Sequence, residues 1–164
     1  MALMDDDVAQ AAGLLLEALA HAETFHDLPV QSASLAGLGW TELLSGRLAD
    51  AEGRFLDSIG IAADIADPAG VGDCLRGLAG VDAERGRPAE AARLLATADA
   101  LVDPAKAPLD PPDVRLRSRV VTSIERQLGT YDPQRRPDRA ISIDEAVALA
   151  KASRGQSPAG ASSP

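Results

Sequence analysis

The sequence predicts an all-α protein made of antiparallel helix-pair repeats, about seven helices in all. Two observations predict it. The first is a gapless period of 40 residues: Leu15, Phe55 and Leu95 fall 40 apart, as do Ala11, Ala51 and Ala91. Gly37-Leu38 recurs as Gly77-Leu78, Gly46-Arg47 as Gly86-Arg87, Phe25 as Ile65, Asp27 as Asp67, and Leu35 as Leu75. A fixed period of about 20 to 50 residues marks a stack of like supersecondary units, each burying its apolar face on the next. The second is composition. Hydrophobic residues make up 46% of the 164, but aromatic residues only 2%. A core of Ala, Leu and Val suits close helix packing better than a β-sandwich.

The elements follow in order. Asp5-Asp6-Asp7 supply an N-cap and first-turn negative charge for a helix that runs to about His26, with Leu15, Leu19 and Ala22 on one face. Asp27-Leu28-Pro29 ends it, and Pro29 opens a second helix that carries Leu35, Leu38, Leu43 and Leu44 and stops at Ser45-Gly46. A third spans roughly Leu48 to Ile65, before Asp67-Pro68. A fourth runs from about Ala69 to Arg85, before Gly86. A fifth runs from Pro88 through Leu101. Residues 103–112 hold four prolines and read as a loop. A sixth helix, about Asp113 to Leu128, has Val114, Val121, Ile124 and Leu128 as its stripe and Gly129 as its cap. Pro133 and Pro137 leave no helix over 130–140. Ser142 and Glu145 form a capping box for a short helix to about Ala152. The tail from Arg154, rich in Gly, Ser, Pro and Ala, reads as disordered.

Three segments result: repeats over 1–102, a helical extension over 103–153, and the tail over 154–164. The chain starts on the second helix of a unit, so one face of the first helix, with Leu14 and Ala18, lacks its partner. Self-association or fast exchange is expected there.

Charge narrows the functions. The net charge is −9, but residues 1–110 hold 19 acids and 7 bases while residues 111–164 hold 6 and 9. An acidic repeat region argues against direct nucleic-acid binding, which needs a basic face. The lone Cys74 cannot form an internal disulfide. No run of 18 apolar residues would cross a membrane, and the acidic start lacks the basic region of a secretion signal. A cytoplasmic protein is expected.

The units resemble the tetratricopeptide family. Leu38-Gly39, Gly46, Ala51, Phe55 and Ser58 match its pattern in one unit; Leu78-Ala79, Gly86, Ala91, Leu95 and Ala98 match in the next. Departures are the 40-residue period in place of 34, and Glu42 and Asp82 where that family often has an aromatic. The resemblance implies a right-handed superhelix. The longer period, the segment Gly86 to Leu95 and the closing run Ser142 to Ala150 resemble the MalT-like sensor region of large LuxR-type ATP-dependent regulators of actinobacteria. No Gly-x-x-x-x-Gly-Lys-Ser/Thr loop and no helix-turn-helix accompany it.

No catalytic constellation is expected. His21 and His26, five apart, point about 140° apart on a helix and do not suit a shared metal. Cys74 has no histidine in its unit and reads as a small buried residue. No cofactor and no metal are expected. The basic stretch Arg115, Arg117, Arg119, Arg126, Arg135, Arg136 and Arg139 reads as docking on the acidic repeats or as a solvated face, in preference to a DNA-contacting segment, since no aromatic interleaves it.

The resemblance implies a concave groove lined by the first helix of each unit. By register from Leu38 and Leu78 these positions are Ala33, Ala36, Trp40 and Leu43, then Asp73, Arg76, Gly80 and Ala83, with Glu84 beside them. Ala36, Trp40, Leu43, Asp73, Arg76 and Glu84 are the candidate partner-binding set. Trp40 and Arg76 are the expected anchors, because aromatics and arginines dominate interface energetics; Trp40 as interhelical filler is the competing reading. The function so read is a non-catalytic scaffold that binds a protein or peptide in signalling or transcriptional regulation. The alternative is an effector-sensing fragment of a LuxR-type regulator.

Overall fold

A computed structural model of the chain describes residues 2–102, 111–129, 132, 141–152 and 154. Residues 103–110 of the loop expected over 103–112, most of the non-helical stretch over 130–140 and the tail beyond 154 lie outside the described residues. The described residues form seven helices and no strand: α1 (Ala2–Phe25), α2 (Leu28–Leu44), α3 (Leu48–Asp64), α4 (Pro68–Glu84), α5 (Pro88–Leu101), α6 (Pro111–Leu128) and α7 (Ile143–Ala152). Each helix from α1 to α5 packs on the next. One row forms as α2 touches α4 and α4 touches α6. In the other row, α1, α3 and α5, no close backbone approach joins the members among the described residues.

The turns explain the boundaries. Asp27 and Asp67 cap α2 and α4, their carboxylates accepting from the backbone N–H of Val30 at 3.2 Å and Ala69 at 3.0 Å, with proline in the first turn of each. Gly46, Gly86 and Gly129 close α2, α4 and α6 in the left-handed region, at φ 76°, 71° and 69°. The opposite turns use Ala66 at φ 55° and His26 at φ 54°. A Cβ in that region is strained, so Ala66→Gly is expected to raise stability by about 1 kcal/mol, read from the midpoint of urea unfolding.

Two expectations about element ends change. Helix α1 already runs from Ala2, so Asp5-Asp6-Asp7 lie within its first turns and do not cap it. Helix α6 opens at Pro111, because prolines are tolerated in a first turn. Its core-facing residues are the buried Val120 and Ile124 with the partly buried Leu116 and Val121, while Val114 and Leu128 are exposed. The cause is anchoring. Arg117 pairs with the buried Asp99 of α5, and Gln127 donates to the Ala83 carbonyl at 3.0 Å, which turns that face inward.

Phe55 is the centre of the core, fully buried between Gly39 of α2 and Gly77 of α4. A second, smaller cluster of Leu19, Leu35 and Leu38 joins α1 to α2. Among the described residues the backbone of α1 approaches that of α2 alone, while Ile61 of α3 packs against the shared cluster. Leu14 and Phe25 of α1 are 61% and 75% exposed. One repeat later the same positions are Arg54, which pairs with Glu42 of α2 at 3.6 Å, and Ile65. Helix α1 therefore shows the face that α3 turns to α2.

Helix α7 leaves the alternation and packs on α3, α4 and α5 together. Ala146 and Ala150 are fully buried. The capping box forms: the Ser142 hydroxyl accepts from the Glu145 N–H at 3.2 Å, and the Ser142 N–H donates to the Glu145 carboxylate at 3.0 Å. Arg154, read from sequence as the start of a disordered tail, instead donates to Asp82 at 2.5 Å and pairs with Glu52 at 2.9 Å. The buried Asp82 carboxylate also holds Arg87. None of the described helices is long and apolar enough to cross a membrane.

Candidate binding cleft

A cleft of about 470 Å³ opens between α2 and α4 on one side and α6 on the other. Its apolar part is built by Trp40, Leu43 and Leu44 of α2, with Ala83 of α4 and Val120 of α6. Its polar wall is α6, where Arg119, Thr122, Ser123 and Arg126 recur at i, i+3, i+4 and i+7 and so share a face.

Trp40 is held rigidly. It is 9% exposed, meets Phe55 edge-on with ring centroids 5.4 Å apart, and donates its indole N–H to the Asp73 carboxylate at 3.2 Å. Asp73 in turn faces Arg76 at 3.8 Å. The indole is thus mostly core, with one edge in the cleft.

Of the six candidate residues, Trp40, Leu43 and Glu84 line the cleft. Ala36 and Arg76 are buried, at 6% and 4% exposure, and Asp73 is engaged with the indole. Arg76 is therefore not on the surface as an anchor. It lies beside Asp73 and Gly72 on α4, a helix flanked by both α2 and α6. Gly80 does line the cleft, but the space above it is not empty: a Cβ there would meet Leu43 Cδ2 at 2.7 Å and Val120 Cγ2 at 3.3 Å.

The α6 residues are the part that sequence reasoning missed. A signal for them exists. Gly129 follows Gly86 as Gly86 follows Gly46, each at positive φ after a helix of 17 or 18 residues. That glycine marks α6 as the third inner helix and so as a groove wall.

Cys74 is fully buried, with its thiol 3.2 Å from the Ser58 hydroxyl. Burial pushes the thiol up to about 12 from 9.0, against a smaller opposing effect of the Ser58 hydrogen bond. The folded state thus disfavours the thiolate. The stabilisation from this group is complete below about pH 9 and is lost as pH rises towards 12, at no more than about 1.4 kcal/mol per pH unit. Wild type is expected to lose more stability than Cys74→Ala between about pH 8.5 and 10.5, measured by urea unfolding.

His21 and His26 are both exposed, and His21 stacks on Phe25 with centroids 6.4 Å apart. Among the described residues no group of three or more His, Cys, Asp or Glu side chains is placed to hold a metal ion. The chain matches no protein-family model, no curated protein and no solved structure.

Proposed function

We propose that the protein is a non-catalytic helical scaffold that binds a protein or peptide segment in the cleft between α2, α4 and α6. The observation that carries this reading is the cleft itself: an open concavity with an apolar floor and a polar wall on rigid helices, the usual make-up of a recognition site. Leu43 and Leu44 offer apolar side chains at its edge, Leu44 being 42% exposed. A role in signalling or transcriptional regulation, at a cytoplasmic site, is part of the same proposal and rests on the sequence resemblance. The alternative, an effector-sensing part of a LuxR-type regulator, rests on that resemblance alone; no feature of the fold favours it over the scaffold.

The test compares capture from native extract by immobilised wild type and by Leu43→Glu. Leu43 is half-buried at the cleft wall and packs on the edge of the core, so the charge spoils the apolar floor at some cost in stability. Expected is a protein retained by wild type and lost from a variant that keeps its helical circular-dichroism spectrum. An identical set of retained proteins would refute the cleft as the binding site.

A further inference from the structure

The cleft carries a charge pattern that the repeats do not. Residues 1–110 have a net charge of −12. Yet the charged residues lining the cleft are Arg119, Arg126 and Glu84. Both arginines are exposed, and neither makes an ion pair or side-chain hydrogen bond among the described residues. Their neighbour Arg117 differs, being bound to the buried Asp99. Of the four α6 arginines, Arg117 anchors the helix, and Arg119 and Arg126 line the cleft with unspent donors.

We infer that the cleft binds an acidic peptide segment carrying two carboxylates three residues apart with an apolar residue between them. This deepens the scaffold reading and rests on it. The spacing comes from the helix. Positions i and i+7 lie on one face about 10 Å apart along the axis. A peptide in the polyproline II conformation rises about 3.1 Å per residue with three residues per turn, so its residues i and i+3 also share a face about 9 Å apart. Each carboxylate then meets one guanidinium, a planar donor suited to bidentate carboxylate binding. The two residues between them point away from the α6 face, which directs the apolar one toward the Trp40–Leu43 floor. Serine and threonine hydroxyls between the arginines leave room for the peptide backbone. Glu84 offsets only one of the two positive charges.

The experiment is calorimetric titration of the full chain with the blocked hexapeptide Gly-Glu-Leu-Pro-Glu-Gly and with its Gln-Leu-Pro-Gln twin. Expected is one site per chain for the acidic peptide and at least about tenfold weaker binding of the twin, the loss of two charge-assisted contacts. Arg119→Gln/Arg126→Gln should lose the same factor with an unchanged melting temperature, since both side chains are exposed. Raising the salt from low to high concentration should weaken binding in wild type and not in the variant. No binding of the acidic peptide, or equal binding by the double variant, would overturn the inference. Equal binding of both peptides, lost in Leu43→Glu, would also overturn it while leaving the scaffold reading intact. Displacement of the acidic peptide by an equal concentration of oligouridylate would mean that the cleft selects polyanions in general, and would equally overturn it.

Discussion

Gly77→Ala is expected to destabilise the protein by about 3 kcal/mol, although it adds a single methyl group to a helix. In an open helix that change stabilises by up to about 1 kcal/mol. At position 77 there is no room. A Cβ would lie 2.2 Å from Cζ and 2.3 Å from Cε1 of Phe55. The ring cannot retreat, because on its other side a Cβ at Gly39 would lie 2.8 Å from it, and the Trp40 ring closes a third direction. Phe55 is fully buried, so its displacement disturbs the contact of α2, α3 and α4 together. Overpacking of this kind costs about 1–3 kcal/mol, the upper end applying where neighbours cannot move. Gly53→Ala is the control, since nothing lies within 4 Å of a Cβ there. It should stabilise. Urea unfolding of both variants decides the matter; Gly77→Ala unfolding at the wild-type midpoint would show that the ring yields freely. Gly77→Ala/Phe55→Leu should recover part of the loss, because the smaller side chain vacates the contact.

The same residues show what was legible before the structure. Phe55 and Gly77 were both visible as repeat positions, and the boundaries of α2 to α5 followed from Asp-Pro and glycine turns to within about one residue. Those signals are local. A capping aspartate or a left-handed glycine acts within a turn, whatever lies across the fold. What was not legible depends on depth. The register places Arg76 on the row facing the groove but does not encode its depth, and Arg76 lies at 4% exposure. The cleft needed α6 as its second wall, and α6 sits 43 residues after α4 in register, with a proline-rich segment between, so the exact 40-residue period does not reach it. The arginines of α6 were noticed as a group. Only the packing of α6 sorts them, since Arg117 points at Asp99 and Arg119 and Arg126 point into the cleft.

Helix α7 was read as a terminal element with no stated seat. Its place is set by a long-range pair that no period encodes. Glu42 and Asp82 occupy one repeat position, but Glu42 meets Arg54 at 3.6 Å, whereas Asp82 is fully buried and takes both Arg87 and Arg154. The acid that departs from the repeat pattern is thus the point where the end of the chain is fastened, 72 residues away in sequence.

Asp82→Ala is therefore expected to destabilise the protein by about 3–5 kcal/mol, the usual result of removing one partner from a buried ion pair. The loss is large because of what stays behind. Arg154 is mostly buried, its side chain 11% exposed, and Arg87 lies nearby at 28%. Without the carboxylate two guanidinium groups face each other around an empty site, with Glu52 as the remaining acid at Arg154. The simplest relief is for Arg154 to swing into water, and α7 must loosen to allow it. Two readouts follow. Urea unfolding gives the stability loss. Tryptic cleavage after Lys151 should become fast in Asp82→Ala, while in wild type the Arg154 anchor and the burial of Ala146 and Ala150 protect that helix. Arg154→Ala should also free α7 but cost less, because Asp82 keeps Arg87. The double variant Asp82→Ala/Arg154→Ala should be more stable than the sum of the two single losses predicts, as expected of residues in direct contact. Asp82→Ala with wild-type stability and a protease-resistant α7 would show that the C-terminal helix is held by its alanine stripe alone.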